Sequence, residues 1–262
     1  AGPTTPAGVG GVLYALDLWH RESNAIVTTN ICAKSDAESA LLVCAVDIRA
    51  AGGEIAVLRL DGGGEFSSST LEARLANIGI AVEWNTVDVK ARGEVVHDIL
   101  DRGMRANLSE APDIPKSFWP FARSYAATQH MVTINTRRGK SPTKALTGHD
   151  ASLHAMMPWG SWIAVLALPR PNRVRPRAVT ARYLGAAAKF GPRAIRYSAD
   201  LNIGGSGVAH TSSFRFLALP YEKLDEAMYR PIDDDQSRVR PIDPAYALPV
   251  HTMQRLRASQ AG

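Results

Sequence analysis

The chain has 262 residues, 45% of them hydrophobic, 30 Lys and Arg against 25 Asp and Glu, and a pI near 9.4. That is enough apolar material for one good core and a second, smaller one, and the mild basic excess favours an anionic partner. Two cysteines, Cys32 and Cys44, exclude a disulfide framework or an all-cysteine zinc site, and the longest apolar runs, Ala40 to Val46 and Trp162 to Leu168, exclude a bilayer-spanning helix.

After a Gly/Pro/Thr-rich opening, Val12 to Leu18 and Ala25 to Cys32 are apolar and β-prone around a polar turn at Glu22 to Asn24, which predicts a hairpin. Ser35 and Asp36 can cap a helix from about Ala37 to Ala51, closed by Gly52 and Gly53. Glu54 to Leu60 reads as a short buried strand ending at Asp61, where Gly62 to Gly64 let the backbone turn sharply. A helix from Ser67–Ser69 to Asn77, a strand over Ile80 to Trp84, a helix from about Gly93 to Glu110 and an aromatic-rich amphipathic helix over Pro115 to His130 complete a mixed α/β half. From about Pro158 the texture changes to short strand-like runs, Ser161 to Leu168, Ala178 to Leu184 and Ala194 to Tyr197, which predict a small β-barrel. Beyond about Leu219 a Pro- and Asp-rich segment, with Arg-Pro-Ile-Asp at both 230–233 and 240–243, reads as an extended linker or tail.

Asp61 is the first candidate for chemistry. An aspartate at the mouth of a central strand beside a glycine turn is placed to hold a divalent cation, although such a residue also serves as a turn former. Glu94, with 32 residues between it and Asp61, falls in the first turn of a predicted helix. A strand-end Asp and a helix Glu can share Mg²⁺ or Mn²⁺ for in-line attack on a phosphodiester, while the helix dipole alone also favours a Glu there. His97, Asp98 and Asp101 lie on or near the same helix face as Glu94 and form either a metal cluster or a polar face.

These stretches, taken in order, resemble copia-type retrotransposon integrases. Asp61-Gly62-Gly63-Gly64-Glu65-Phe66 is similar to the Asp-Asn-Gly-Gly-Glu-Phe signature, and Glu94 to Leu108 to the Glu-led helix ending Ala-Arg-Ala-Met-Leu. Ile114-Pro115-Lys116-Ser117-Phe118-Trp119 resembles Leu-Pro-x-x-Phe-Trp, and Ser141-Pro142-Thr143 to Gly148 resembles Thr-Pro-Tyr-Glu-x-x-x-Gly. Trp159-Gly160 and Tyr183-Leu184-Gly185 resemble the Phe-Gly and Phe-Leu-Gly of a following SH3-like barrel, so the match spans about residues 2 to 220.

The resemblance implies an RNase H-like core with a mixed sheet and flanking helices over residues 1–150, an SH3-like β-barrel over 151–218 and a tail over 219–262. It implies DNA 3′-processing and strand transfer as part of a Pol polyprotein, with Asp61 and Glu94 as catalytic metal ligands for Mg²⁺ or Mn²⁺. It further implies a homo-oligomer without membrane association, located inside the cell, in the nucleus or in a cytoplasmic virus-like particle. Departures from the pattern bear on activity. Gly62 replaces Asn, Val95 replaces Arg, and Gly2-Pro3 is similar to the Gly-Pro that follows the family's first strand, so that the first catalytic Asp would precede residue 1. The register sets Asp17 against a position that does not ligate metal, and Asp47 falls within the first helix. The chain is therefore expected to be inactive as given, or to be a nucleic-acid-binding or assembly module that kept the fold and lost the chemistry.

Positive charge is concentrated late. Residues 151 to 199 hold no Asp or Glu but include Arg170, Arg173, Arg175, Arg177, Arg182, Lys189, Arg193 and Arg196. With Arg137, Arg138, Lys140 and Lys144 upstream, they predict a phosphate-contacting surface for DNA, the plain alternative being a solvated basic face. Trp159 and Trp162 read as core rather than as base-stacking platforms.

Overall fold

Apolar, β-prone residues around a tight polar turn build the first two strands. In the computed structural model, which describes residues 3–60, 66, 69–84, 90–153, 156–166, 178–187, 194–199 and 208–217, β1 (Tyr14–His20) pairs antiparallel with β2 (Ala25–Ile31). Asn24, at φ 61, takes the left-handed turn position that Asn tolerates better than most residues. Successive side chains face opposite ways along a strand. Leu16 and Leu18 accordingly pack against a cluster containing Leu41, Ala45 and Ile48, while Trp19 packs against Val96, Leu100 and Ala126.

The first of those clusters belongs to α1 (Ala37–Ala50), β3 (Val57–Leu60), α2 (Ser69–Asn77) and the start of β4 (Ala81–Trp84). α1 and α2 end by the same device. Gly53 N donates to Ile48 O at 2.9 Å and Gly52 N to Arg49 O at 2.9 Å; after α2, Ile80 N donates to Leu75 O and Gly79 N to Ala76 O, each at 2.9 Å. Gly52 and Gly79 have φ of 92° and 72°, as the left-handed residue of this C-cap requires. Each cap turns the chain towards a strand, and β3 and β4 pair in parallel, Leu58 opposite Val82. Parallel and antiparallel pairing are thus both present, as the expected mixed sheet requires, and among the described residues they form two ladders, β1-β2 and β3-β4.

α3 (Lys90–Glu110) and α4 (Trp119–Val132) cover the other face of the hairpin. They approach closely because Gly103 carries no Cβ where Ala126 Cβ would stand 2.7 Å from it. α5 (Pro142–Thr147) is a short helix with Ser141 Oγ accepting from Lys144 N at 3.2 Å, Pro142 at N1 and Gly148 as the left-handed C-cap.

The described residues divide into two compact units, those up to 161 with those of 181–213, and those of 162–180 with 214–217. The described strands of the later part are β5 (Trp162–Leu166), β6 (Ala178–Ala186), β7 (Ile195–Ser198), β8 (Val208–Thr211) and β9 (Phe214–Phe216). They run in the hydrogen-bonded order β8-β7-β6-β5-β9, which corrects the expected SH3-like β-barrel: the sheet is open. Closure requires the two end strands to pair, and among the described residues β8 and β9 do not. The tail expected over 219–262 lies outside the described residues. No helix among the described residues is long and apolar enough to cross a membrane.

Candidate functional site

Alternation along β1 sets Asp17 on the face covered by α3 and α4, and its side chain is 1% exposed. Both helices meet it with basic groups. Arg123 of α4, itself 5% exposed, donates from Nη2 to Asp17 Oδ2 and from Nη1 to Asp101 of α3. His97 of α3 stands with Nδ1 2.6 Å from the same Asp17 oxygen, which assigns the ring proton to Nδ1. Burial pushes the Asp17 carboxyl up, but the His97 hydrogen bond and the Arg123 charge outweigh it and hold the group below its ordinary value. The carboxylate is thereby the centre of a clamp joining β1, α3 and α4.

Asp61, the first candidate ligand, lies outside the described residues. Glu94 is exposed on α3 and makes no ion pair among the described residues. Its helix neighbours are each engaged with a partner: His97 with Asp17, Asp101 with Arg123, and Asp98 with Arg102 at 2.8 Å. They form a polar helix face, and no group of three or more His, Cys, Asp or Glu that could hold a metal occurs among the described residues. Asp17 does not fit the requirement for a metal ligand either, since Arg123 already supplies the positive charge beside it. Asp47 sits half-buried on α1.

The basic candidates separate into two kinds. Arg137, Arg138 and Lys140 are exposed on a tight turn after α4. Asn135 builds that turn: its N donates to Lys140 O at 3.1 Å, its Oδ1 accepts from Arg137 N at 3.0 Å, and Gly139 N donates to Asn135 O at 2.8 Å with φ 64. Arg138 then reaches the β1–β2 turn, donating to the carbonyl oxygens of Glu22 and, at 3.3 Å, Arg21. Two exposed turns are thus tied together, with Arg21 added to the cationic surface. Lys144 pairs with Asp150 at 3.0 Å. Arg182, by contrast, is buried and paired with Asp113; burial lowers its pKa while Asp113 opposes that shift. Its charge is engaged within the protein. Arg170, Arg173, Arg175 and Arg177 lie outside the described residues. Trp159 is buried and so offers no stacking face.

Sequence reasoning passed over Arg123, Asn24 and His130. A signal for Arg123 exists, because it interrupts the apolar stripe formed by Trp119, Ala122, Ala126 and Ala127, and an arginine there needs an acid opposite.

No family model and no curated protein matches the chain. Among solved structures it is similar to a chain of the simian T-cell lymphotropic virus intasome in complex with PP2A regulatory subunit B56 gamma, at 16% identity and TM-score 0.45, covering 84% of this chain and 78% of that one. It is also similar to the HTLV-2 integrase catalytic core domain in complex with magnesium, at 12% identity and TM-score 0.39, covering 51% of this chain and 92% of that one.

Proposed function

We propose that this chain is a nucleic-acid-binding module with an integrase-like, RNase H-like core of copia type in which metal-dependent strand transfer has been lost. The observation that carries this reading is the exposed cationic turn holding Arg137, Arg138 and Lys140, fixed to the hairpin turn at residues 21–22. Cations held on a rigid turn contact phosphates without paying again for their own ordering, and such contacts are independent of sequence. Asp17, engaged by Arg123 and His97, is no stand-in for a metal-binding carboxylate, because an acid already neutralised in the fold attracts a cation weakly. DNA is the proposed partner, bound by a homo-oligomer.

A second reading keeps the enzyme, with Asp61 and Glu94 sharing Mg²⁺ or Mn²⁺ for 3′-processing and strand transfer. The exposure of Glu94 and its lack of an ion pair among the described residues favour it. Strand-transfer assays in either metal separate the two. The proposal expects DNA binding that persists in EDTA and no strand-transfer product; product formation abolished by Asp61→Ala would overturn it in favour of the enzyme.

A further inference from the structure

A cavity of about 190 Å³ opens where β1, the 21–24 turn, α3 and α4 meet. Its walls come from Trp19, Ile26, Val95 and Ile99, and Asn24 and His130 supply its polar groups. A cavity of roughly 150 Å³ takes up benzene, whereas drug-sized ligands occupy ~300 Å³ or more. This one is therefore of a size for a single planar ring system.

Its polar groups are oriented by the hydrogen bonds around them. Trp19 Nε1, which can only donate, lies 3.0 Å from Asn24 Oδ1 and so fixes the amide with its oxygen towards the indole. His130 Nε2 lies 2.9 Å from Asn24 O, a carbonyl that can only accept, so that nitrogen carries the proton. Asn24 Nδ2, 3.4 Å from the same His130 nitrogen, then faces a donor rather than an acceptor. The Asn24 amide keeps donors that no acceptor among the described residues satisfies, beside an indole and aliphatic walls. Apolar walls, one aromatic side chain and free donors are the chemistry that recognises a nucleobase taken out of a stack.

Resting on the nucleic-acid reading above, we infer that this cavity accepts one unpaired base of a bound strand. The location supports that occupant, because Asn24 belongs to the same turn whose Arg21 and Glu22 carbonyls hold Arg138, so the cationic turn is anchored next to one wall of the cavity. The base would enter past Val95, which is 55% exposed at the rim.

The test compares a short single-stranded DNA with a strand of equal length made of abasic sugar-phosphate, bound to the full chain by fluorescence anisotropy. The expected result is a preference of about tenfold for the base-bearing strand, the scale of one stacked base. Asn24→Gly, which keeps the left-handed backbone without strain, and Val95→Trp, which fills the cavity from an exposed position, should each remove most of that preference and leave abasic binding unchanged. Equal binding of both strands by the wild-type chain overturns the cavity inference and spares the nucleic-acid reading; no binding of either overturns both. If Val95→Trp alters the association state in sedimentation while the preference persists, the cavity belongs to an interface between copies of this chain and the inference fails.

Discussion

Arg123 and Arg138 contribute the same charge to the sequence and opposite things to the molecule. Arg123 sits in the apolar stripe of α4 and meets Asp17 and Asp101, so its field closes on itself inside the fold. Arg138, at the end of the turn that follows the same helix, grips carbonyl oxygens with its guanidinium and stays exposed. A carbonyl satisfies donors without cancelling a full charge, so positive potential remains outside at one region and is consumed inside at the other. Net charge therefore does not identify an interface; the partner of each cation does.

The sharpest way to break this contrast is to remove the acid from the buried region. Asp17→Ala leaves Arg123 enclosed with a half-exposed Asp101 as its remaining carboxylate, and one-sided deletion of a buried pair costs about 3–5 kcal/mol. Chemical denaturation should place the loss towards the lower end of that range, because Asp101 remains. A milder probe uses acid. Asp17 is held below its ordinary value in the fold, so the unfolded chain takes up this proton first as pH falls from about 4. The stabilisation is complete above that pH and disappears as pH drops through the lower folded value. Denaturation midpoints measured between neutral pH and pH 2 should show Asp17→Asn less stable near neutrality and flatter below pH 4 than the parent chain. The smallest effect on stability belongs to the exposed region: joint replacement of Arg137, Arg138 and Lys140 by Ala should change unfolding free energy by under about 0.5 kcal/mol per site.

Much of the fold was legible because local signals agreed with one another. The polar turn ending at Asn24 and Gly52 and Gly53 after α1 each specify a boundary by backbone chemistry that needs no distant partner. β8 (Val208–Thr211) and β9 (Phe214–Phe216) are not among the strands read from the sequence. The barrel expectation failed because which strands pair at the two ends of a sheet is a long-range property that short apolar runs do not carry. The site was legible only in part. Arg137, Arg138 and Lys140 stand out as a basic cluster, but nothing in one dimension tells that Arg182 finds Asp113, 69 positions away, and becomes buried. Asp17 as the hub of a clamp likewise depends on Arg123, 106 positions on, and on a helix register that the sequence displays without showing its partner.

The exposed turn is a nucleic-acid interface only if it meets phosphate. Affinity for a duplex DNA measured across a series of salt concentrations, with EDTA present, tests it directly. The parent chain should bind with log K falling linearly in log salt, and the Arg137/Arg138/Lys140 triple-alanine chain should bind more weakly with a slope shallower by about one for each phosphate contact removed. An unchanged slope and affinity in the triple variant, with its fold intact, would contradict the assignment of this turn as the nucleic-acid interface.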